Sequence, residues 1–349
     1  MSNAIPETSA EVKAQCEQFR TRFQQLTAEI GKVVVGHKPV VEAVLIALFA
    51  GGNVLLEGVP GLGKTLLVRT LAQTLSLPFS RIQFTPDLMP ADVIGTNIVM
   101  EDPDTGRRKF EFQRGPIFAQ IVLADEINRA TPKTQSALLE AMQERSGTVA
   151  GVSYQLQKPF LVLATQNPIE QEGTYPLPEA QLDRFIFKVV VGYSQLDELM
   201  TILDRTTSTE STDIKNIMDG PTILEMQKLV RGVVVADHVK QYAARLAMAT
   251  HPGGQFAAGG ASGVTNKYIR CGSSPRGAQA LMLGAKVKAL IDGRFHASFK
   301  DVQAMAHLCL RHRVLMNFEA EADRIDSDSI VTQILQATPT EPVKAMAAV

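Results

Sequence analysis

The chain has 349 residues, of which 45% are hydrophobic, and this is enough for two compact domains with cores of their own. Its formal net charge of −1 at pH 7 disfavours a protein that relies on bulk electrostatic attraction to nucleic acid or to an anionic membrane. The three cysteines are widely separated and include no C-x-x-C pair, which disfavours a disulfide framework and a cysteine metal site: Cys16, Cys271 and Cys309.

Two features bear on cellular location. The first 20 residues lack the continuous apolar run of a signal peptide. The longest apolar run near the start, residues 40–50, is interrupted by Glu42 and is too short to cross a bilayer. We therefore expect a cytoplasmic protein with reduced thiols and no membrane span.

The chain divides by pattern into three parts. Residues 1–30 are predicted to be an N-terminal helical extension. From residue 31 to residue 192, apolar runs of strand length alternate with helical patterns, which predicts an α/β domain with a parallel sheet and crossover helices. Helical periods dominate residues 193–349, which are predicted to form a small all-helical domain. The five candidate core strands are residues 54–57, 79–84, 121–124, 160–164 and 185–189.

Residues 58–65 read Gly-Val-Pro-Gly-Leu-Gly-Lys-Thr and fit the phosphate-binding P-loop pattern. The glycines allow backbone N–H groups to turn toward a polyphosphate, Lys64 can reach the β and γ phosphates, and Thr65 can hold Mg²⁺. The loop follows an apolar run at residues 53–57 and precedes a helical pattern at residues 66–75. Strand, loop and helix are thus in the order that the motif requires.

Two inserted hairpins are predicted inside the α/β domain. Residues 97–100 and 109–112 flank the turn residues 102–106, and residues 148–149 can pair with residues 154–156 across a glycine, Gly151. The first hairpin carries three basic residues near its tip: Arg107, Arg108 and Lys109. Taken alone, a basic tip is more often a solvated turn than a contact surface.

An apolar strand at residues 121–124 is followed by two carboxylates, Asp125 and Glu126, about 60 residues after the P-loop. The first can hold Mg²⁺ beside Thr65, and the second can act as the base that polarises an attacking water. An Asp-Glu pair in isolation is more often a helix cap. Together with the P-loop, the pair indicates phosphoryl transfer.

Three further polar residues follow later strands and loops. Asn167, after the strand at residues 160–164, can orient the lytic water, or it can be part of an ordinary Asn-Pro turn. Arg184 precedes the last strand and can stabilise transition-state charge in a neighbouring subunit; the alternative is a salt-bridged surface arginine. Arg276 begins a helix after Pro275 and can bridge the helical domain to the γ-phosphate.

In order and spacing these motifs resemble those of the MoxR family of AAA+ ATPases, over nearly the whole chain. The segments that carry the resemblance are residues 36–38, 51–65, 85–92, 115–118, 124–130, 164–168, 172–180 and 310–315.

The resemblance implies a five-stranded parallel sheet with inserted hairpins, followed by a helical lid, with ATP and Mg²⁺ as cofactors. It gives Asn167 the sensor 1 role, Arg276 the sensor 2 role and Arg184 the role of arginine finger, with Arg129 as a second candidate for a contact in trans. It also implies a set of ATP-binding residues: Val35, Gly36, Gly58, Val59, Pro60, Gly61, Leu62, Gly63, Lys64, Thr65 and Leu66.

By the same resemblance, the chain is expected to form a homo-oligomeric, hexameric ring that remodels a client protein or inserts a metal or cofactor into it. A partner with a von Willebrand factor A domain is expected, and the inserted hairpins are expected to face the ring pore. A DNA motor is the alternative, disfavoured by the net charge near zero. A nucleotide-gated scaffold without turnover is disfavoured by the presence of Glu126 and Arg184.

Overall fold

The computed structural model describes residues 9–101, 108–169, 173–207, 213–259 and 263–340. The ends of the predicted extension and lid, residues 1–8 and 341–349, lie outside these ranges, as does the turn of the first hairpin with Arg107.

The chain alternates strands and helices up to β9 and is mainly helical after it. In chain order the strands are β1 (Val54–Glu57), β2 (Phe79–Gln83), β3 (Gly95–Glu101), β4 (Arg108–Arg114), β5 (Ile121–Asp125), β6 (Ser146–Val149), β7 (Val152–Gln155), β8 (Leu161–Gln166), β9 (Phe187–Val190), β10 (Val234–Val235), β11 (Ile269–Cys271), β12 (His296–Ala297) and β13 (Leu315–Met316). The α-helices are α1 (Ser9–Gly31), α2 (Lys38–Ala50), α3 (Lys64–Thr74), α4 (Pro90–Ile94), α5 (Pro132–Glu144), α6 (Glu179–Leu182), α7 (Leu196–Thr207), α8 (Gly220–Gly232), α9 (Asp237–Met248), α10 (Val264–Tyr268), α11 (Pro275–Ile291), α12 (Phe299–Leu310), α13 (Phe318–Ala322) and α14 (Ser327–Ala337).

Five strands form one parallel sheet in the order β2, β5, β8, β1, β9. The predicted five-stranded parallel sheet is therefore confirmed, and each predicted strand ends within two residues of an observed one. Because all five strands run the same way, the sheet has a carboxyl edge, where the strands end, and an amino edge, where they begin. The two edges are separated by the length of one strand, which is about 13 to 20 Å at roughly 3.3 Å per residue.

Alternate residues of the central strands enter two separate cores. Val54 and Leu56 of β1 face a core to which α1, α2, α3, α8, α9, α11, α12 and α14 contribute buried side chains. Leu55 faces a second core, in which Leu138 and Met142 of α5 are buried. α11 packs against both α1 and α2, so the helical lid shares the first core with the sheet domain. The lid is consequently held against one face of the sheet by apolar burial.

The region after α7 is mostly helical, as predicted, with two small exceptions. β10 pairs with β12 in parallel, and β11 pairs with β13 in antiparallel fashion. Each of these strands has only two or three residues, which is too short to show a period-2 pattern in sequence. None of the described helices is long and apolar enough to cross a membrane.

Both inserted hairpins are present. In the first, β3 and β4 pair with Asn97 opposite Phe112, which confirms the predicted pairing. In the second, β6 pairs with β7 and places Val149 opposite Val152, so its return strand begins two residues earlier than predicted. The reason is a two-residue turn with φ of 49° at Ala150 and 81° at Gly151, the backbone that closes the tightest hairpins.

Candidate active site

The P-loop lies between β1 and α3 at the carboxyl edge of the sheet. Gly61 and Gly63 have φ of +84° and +74°, a conformation that side chains disfavour, and a Cβ at either position would have no atom within 4 Å. Gly58 is needed for another reason, since a Cβ there would lie 2.6 Å from the carbonyl oxygen of Val191. The glycines therefore form an open cradle that is packed closely against the segment after β9.

Lys64 is the first residue of α3, and its Nζ donates a hydrogen bond to the carbonyl oxygen of Gly58. The ammonium group thus links the end of the P-loop to its first residue. Partial burial lowers the pKa of Lys64, while the carboxylates of Asp125, Glu126 and Glu57 oppose this shift. The same carboxylates therefore help to keep Lys64 protonated.

A polar cavity of about 360 Å³ adjoins the P-loop and is lined by eight of the predicted site residues: Pro60, Gly61, Gly63, Lys64, Thr65, Asp125, Glu126 and Asn167. They come from three strand ends and one helix start, which the parallel topology places at the same edge. Asn167 is buried one residue beyond β8, and its Oδ1 accepts a hydrogen bond from the Ile169 amide at 3.2 Å.

Two residues that line this cavity were not predicted from the sequence, and both donate hydrogen bonds to Asp125. Arg81 of β2 donates to Oδ2 from Nε at 3.0 Å and from Nη2 at 2.7 Å. Thr165 of β8 donates to Oδ1 at 2.6 Å and accepts the Glu126 amide at 2.8 Å. The position of Arg81 within a strand was a signal that could have indicated a site residue. The sequence does not show, however, that β2 pairs with β5.

Glu126 follows β5 with a left-handed backbone, φ 56°. Its Oε2 accepts hydrogen bonds from Gln83 Nε2 at 2.7 Å and from Arg129 Nη1 at 2.9 Å. Gln83, at the end of β2, was not predicted as a site residue. Arg129 here contacts the carboxylate of its own chain, so a role for Arg129 in trans requires that this ion pair open.

Arg184 and Arg276 lie together at the other edge of the sheet. They line a small cavity of about 90 Å³ with Asn53, the residue that precedes β1. Arg184 Nη1 donates to the carbonyl oxygen of Leu139 at 2.8 Å. Because β1 runs from Asn53 toward the P-loop, this amino-edge cavity and the polar cavity are at opposite ends of the strand.

The helix start predicted at Arg276 is confirmed, with Ser274 as the N-cap and Pro275 in the first turn. This structure places Arg276 at the amino edge of the sheet, away from the P-loop of its own chain, and its predicted contact with a γ-phosphate stays a prediction. The physical reason is the packing of the lid, which holds the start of α11 against Asp183 at the amino edge.

An apolar cavity of about 380 Å³ also borders the P-loop, and neither Asp125 nor Glu126 lines it. The predicted residues Val35, Leu62 and Leu66 line it, and so do residues of α7 and the segment before it that were not predicted: Tyr193, Leu199 and Ile202. Gly36 stands just outside it with φ +71°, and a Cβ there would lie 2.5 Å from the Glu198 carboxyl carbon. The segment around Gly36 therefore packs closely against α7.

The arrangement fits a nucleoside triphosphate with Mg²⁺. The polar and apolar cavities both border Gly61 and Gly63, so a ligand that crosses the loop can place a base in one and phosphates in the other. The Thr65 hydroxyl and the Asp125 carboxylate supply the hard oxygen ligands that Mg²⁺ prefers. The ion would be held beside the phosphates.

Comparison with known proteins identifies the family. Residues 53–187 match the ATPase family associated with various cellular activities (AAA), and residues 262–334 match the AAA lid domain. Chaperone MoxR1 of Mycobacterium tuberculosis is 41% identical over 318 residues, 91% of this chain and 82% of that protein. Protein MoxR of Paracoccus denitrificans is 31% identical over 343 residues, 94% of this chain and 98% of that protein.

A solved structure agrees with the sequence comparisons. The crystal structure of a candidate ATPase from Cytophaga hutchinsonii is 40% identical in sequence, has a TM-score of 0.86, and covers 95% of this chain and 98% of its own. This chain belongs to the MoxR family of AAA+ ATPases.

Proposed function

We propose that this ATPase works as a homo-oligomeric ring, of six chains, whose cycle of Mg²⁺-dependent ATP hydrolysis remodels a client protein or inserts a metal or cofactor into it. One observation carries the ring: the phosphate-binding groups are at the carboxyl edge, and Arg184 and Arg276 are at the amino edge. A site that uses both sets takes them from two neighbouring chains.

Within one chain, the carboxyl-edge groups bind and orient the substrate. Lys64 exchanges the Gly58 carbonyl for the β and γ phosphates, which places its positive charge on them. Mg²⁺, when held by Thr65 and Asp125, supplies positive charge that stabilises the phosphates in the transition state. Glu126 accepts the proton of the attacking water once its contacts with Gln83 and Arg129 open, and the Asn167 amide orients that water.

From the neighbouring chain, Arg184 supplies a guanidinium to the charge that develops on the transferred phosphoryl group. Arg276 is a second cation of the same cavity and is presented with it. Both lie on surfaces that their own P-loop does not reach, so their contribution depends on assembly.

Support for the client comes from a relative and from exposed apolar surface. The M. tuberculosis relative is named a chaperone. The first hairpin exposes Phe110 by 78% and Val99 by 55%, and exposed apolar side chains of this kind can hold an unfolded or partly folded segment. A von Willebrand factor A domain partner and a cytoplasmic location remain predictions. The alternative of a DNA motor gains no support from the formal net charge of −1.

Mixing two inactive variants tests the composite site. Lys64→Ala lacks the phosphate-binding half, and Arg184→Ala lacks the finger half. In mixed rings, an intact P-loop from one chain faces an intact finger from the other, and turnover is expected to rise above either variant alone. Phosphate release is measured, and native mass spectrometry establishes that mixed rings form. Mixed rings without recovered turnover would exclude Arg184 as the trans finger.

The same mixture with Arg129→Ala in place of Arg184→Ala is the matched control. Recovery with Arg129→Ala alone would transfer the finger role to Arg129. Pull-down of bound proteins with a Glu126→Gln variant, which retains ATP, then addresses the client.

A further inference from the structure

Arg313 follows α12 in the lid and is buried, with a side chain 3% exposed. All five N–H groups of its guanidinium donate hydrogen bonds. Nε donates to Asp183 Oδ1 at 2.7 Å, Nη1 to the carbonyl oxygens of Ile186 and Cys309, and Nη2 to those of Asp183 and Phe185 at 2.9 and 2.7 Å. Four of these five acceptors belong to the sheet domain.

The acceptors in the sheet domain bracket Arg184. Asp183 precedes it, and Phe185 and Ile186 follow it. Their carbonyl groups, held by one rigid guanidinium, define the backbone direction from which the Arg184 side chain leaves. A side chain in the lid thus determines where a residue of the sheet domain points.

The same carboxylate anchors the helix that carries Arg276. Ser274 Oγ donates to the two carboxylate oxygens of Asp183 at 3.0 and 2.8 Å, and Arg276 Nη1 lies 3.9 Å from Oδ2. The first turn of α11 also packs on Arg313, since a Cβ at Gly277 would lie 3.2 Å from Arg313 Cδ. Arg313, Asp183 and Ser274 form one junction, which we term the lid clamp.

His312 adds a second tie to the same backbone. Its Nε2 lies 3.0 Å from the carbonyl oxygen of Phe185, which also accepts Arg313 Nη2. Burial, and then the neighbouring Arg313 cation, lower the pKa of His312 well below its usual value, so the ring is neutral. A neutral ring that faces a carbonyl oxygen through Nε2 carries its proton there and donates it.

We propose that Arg313 is a positioning residue that holds Arg184 and Arg276 as one preformed unit, so that a movement of the lid moves the finger with it. This inference rests on the proposed trans site. A buried ion pair adds little net stability compared with apolar packing, so stability alone is a weak reason for one here. A planar group with five donors defines geometry in a way that a point charge does not.

The test compares two arginines of the same loop. Arg313→Lys keeps the positive charge but removes the planar guanidinium group with its five donors. Arg311→Lys is the matched control, because Arg311 pairs with Asp328 within the lid and joins the lid to the sheet through the Lys188 carbonyl, away from the finger. We expect Arg313→Lys to lower kcat by about tenfold to a hundredfold, the scale of a small misplacement of a reacting group. The dissociation constant for a fluorescent ATP analogue should stay within about twofold of the unaltered chain, because the P-loop is untouched.

Mixing distinguishes positioning from general damage. Arg313→Lys mixed with Lys64→Ala should recover turnover, since the second chain brings an intact finger. Arg313→Lys mixed with Arg184→Ala should not recover turnover, because neither chain then has a correctly placed Arg184 side chain. Equal recovery with both partners, or a loss of nucleotide affinity as large as the loss of kcat, would overturn the proposal. So would an equal loss of kcat in Arg311→Lys.

Two further measurements complete the design. If Arg313→Lys does not fold, as judged by its thermal unfolding midpoint, Ser274→Ala takes its place, and a smaller kcat loss with the same mixing pattern is expected; its absence would overturn the proposal. Lys64→Ala mixed with Arg184→Ala is run in parallel. If that reference mixture fails although mixed rings form, the trans site itself is wrong, and the role of Arg313 falls with it.

Discussion

The two edges of the sheet hold their charged groups by different means. At the carboxyl edge, cations and carboxylates of one chain neutralise each other: Arg81 with Asp125, and Arg129 with Glu126. At the amino edge, Arg184 and Arg276 line a small cavity, and a carboxylate shared with the lid sets their position. Under the proposed function, substrate binding is built within one chain, whereas completion of the site depends on the lid and on assembly.

The largest expected effect separates binding from chemistry at the carboxyl edge. Lys64→Ala should abolish nucleotide binding, because it removes the side chain of the loop that places positive charge on the β and γ phosphates. Glu126→Gln should bind ATP and turn it over about 10² to 10⁴ times more slowly, because the amide cannot accept a proton. Binding is measured with a fluorescent nucleotide and turnover by phosphate release. Equal loss of binding in both variants would remove Glu126 from the catalytic role.

Unlike Lys64→Ala, a variant at the amino edge should keep nucleotide binding and lose turnover. Arg184→Ala should bind ATP normally and lose turnover by about 10³ to 10⁵, the range of arginine fingers in related P-loop enzymes. In the unaltered protein, turnover per chain should rise with protein concentration as rings form. Constant turnover through a monomer-to-oligomer transition, followed by light scattering, would contradict a trans contribution.

A smaller effect is expected where the segment around Gly36 meets α7. Gly36→Ala places a Cβ at φ +71° and against Glu198, and should lower the free energy of unfolding by about 1 to 2 kcal/mol, the cost of a left-handed residue. Nucleotide affinity should fall with it, because α7 lines the apolar cavity. Gly31→Ala is the control, since no atom lies within 4 Å of a Cβ there. Identical denaturation midpoints for the two variants would refute the close approach.

The smallest effect concerns pH at the amino edge. The folded state lowers the pKa of His312, so the unfolded chain binds a proton that the folded chain does not. Stability is therefore fully present above about pH 6.5 and is lost as pH falls below it, by up to about 1.4 kcal/mol per pH unit. His312→Gln should flatten this dependence in denaturant titrations between pH 5 and pH 7. An unchanged slope in His312→Gln would count against the buried neutral ring.

Much of the carboxyl edge could be predicted because its signals are local. Strand, loop and helix around Lys64 are contiguous in sequence, and Asp125, Glu126 and Asn167 each lie within three residues of the end of an apolar run. Parallel strands bring such ends to one edge, so chain order alone predicted that these groups meet. Arg81 and Gln83 were missed because they face Asp125 and Glu126 only through the pairing of β2 with β5.

The P-loop, the strands of the parallel sheet, the hairpins and the carboxylates at the strand ends could all be predicted, because each is signalled by a short stretch of residues: a motif, an apolar run of strand length or a turn. The position of the lid, and with it the place of Arg276, depends instead on tertiary packing. The contact between Arg313 and Asp183 spans 130 residues and is set by how α11 and α12 pack on the sheet. Packing between distant helices depends on the shapes of whole faces, which no local pattern records.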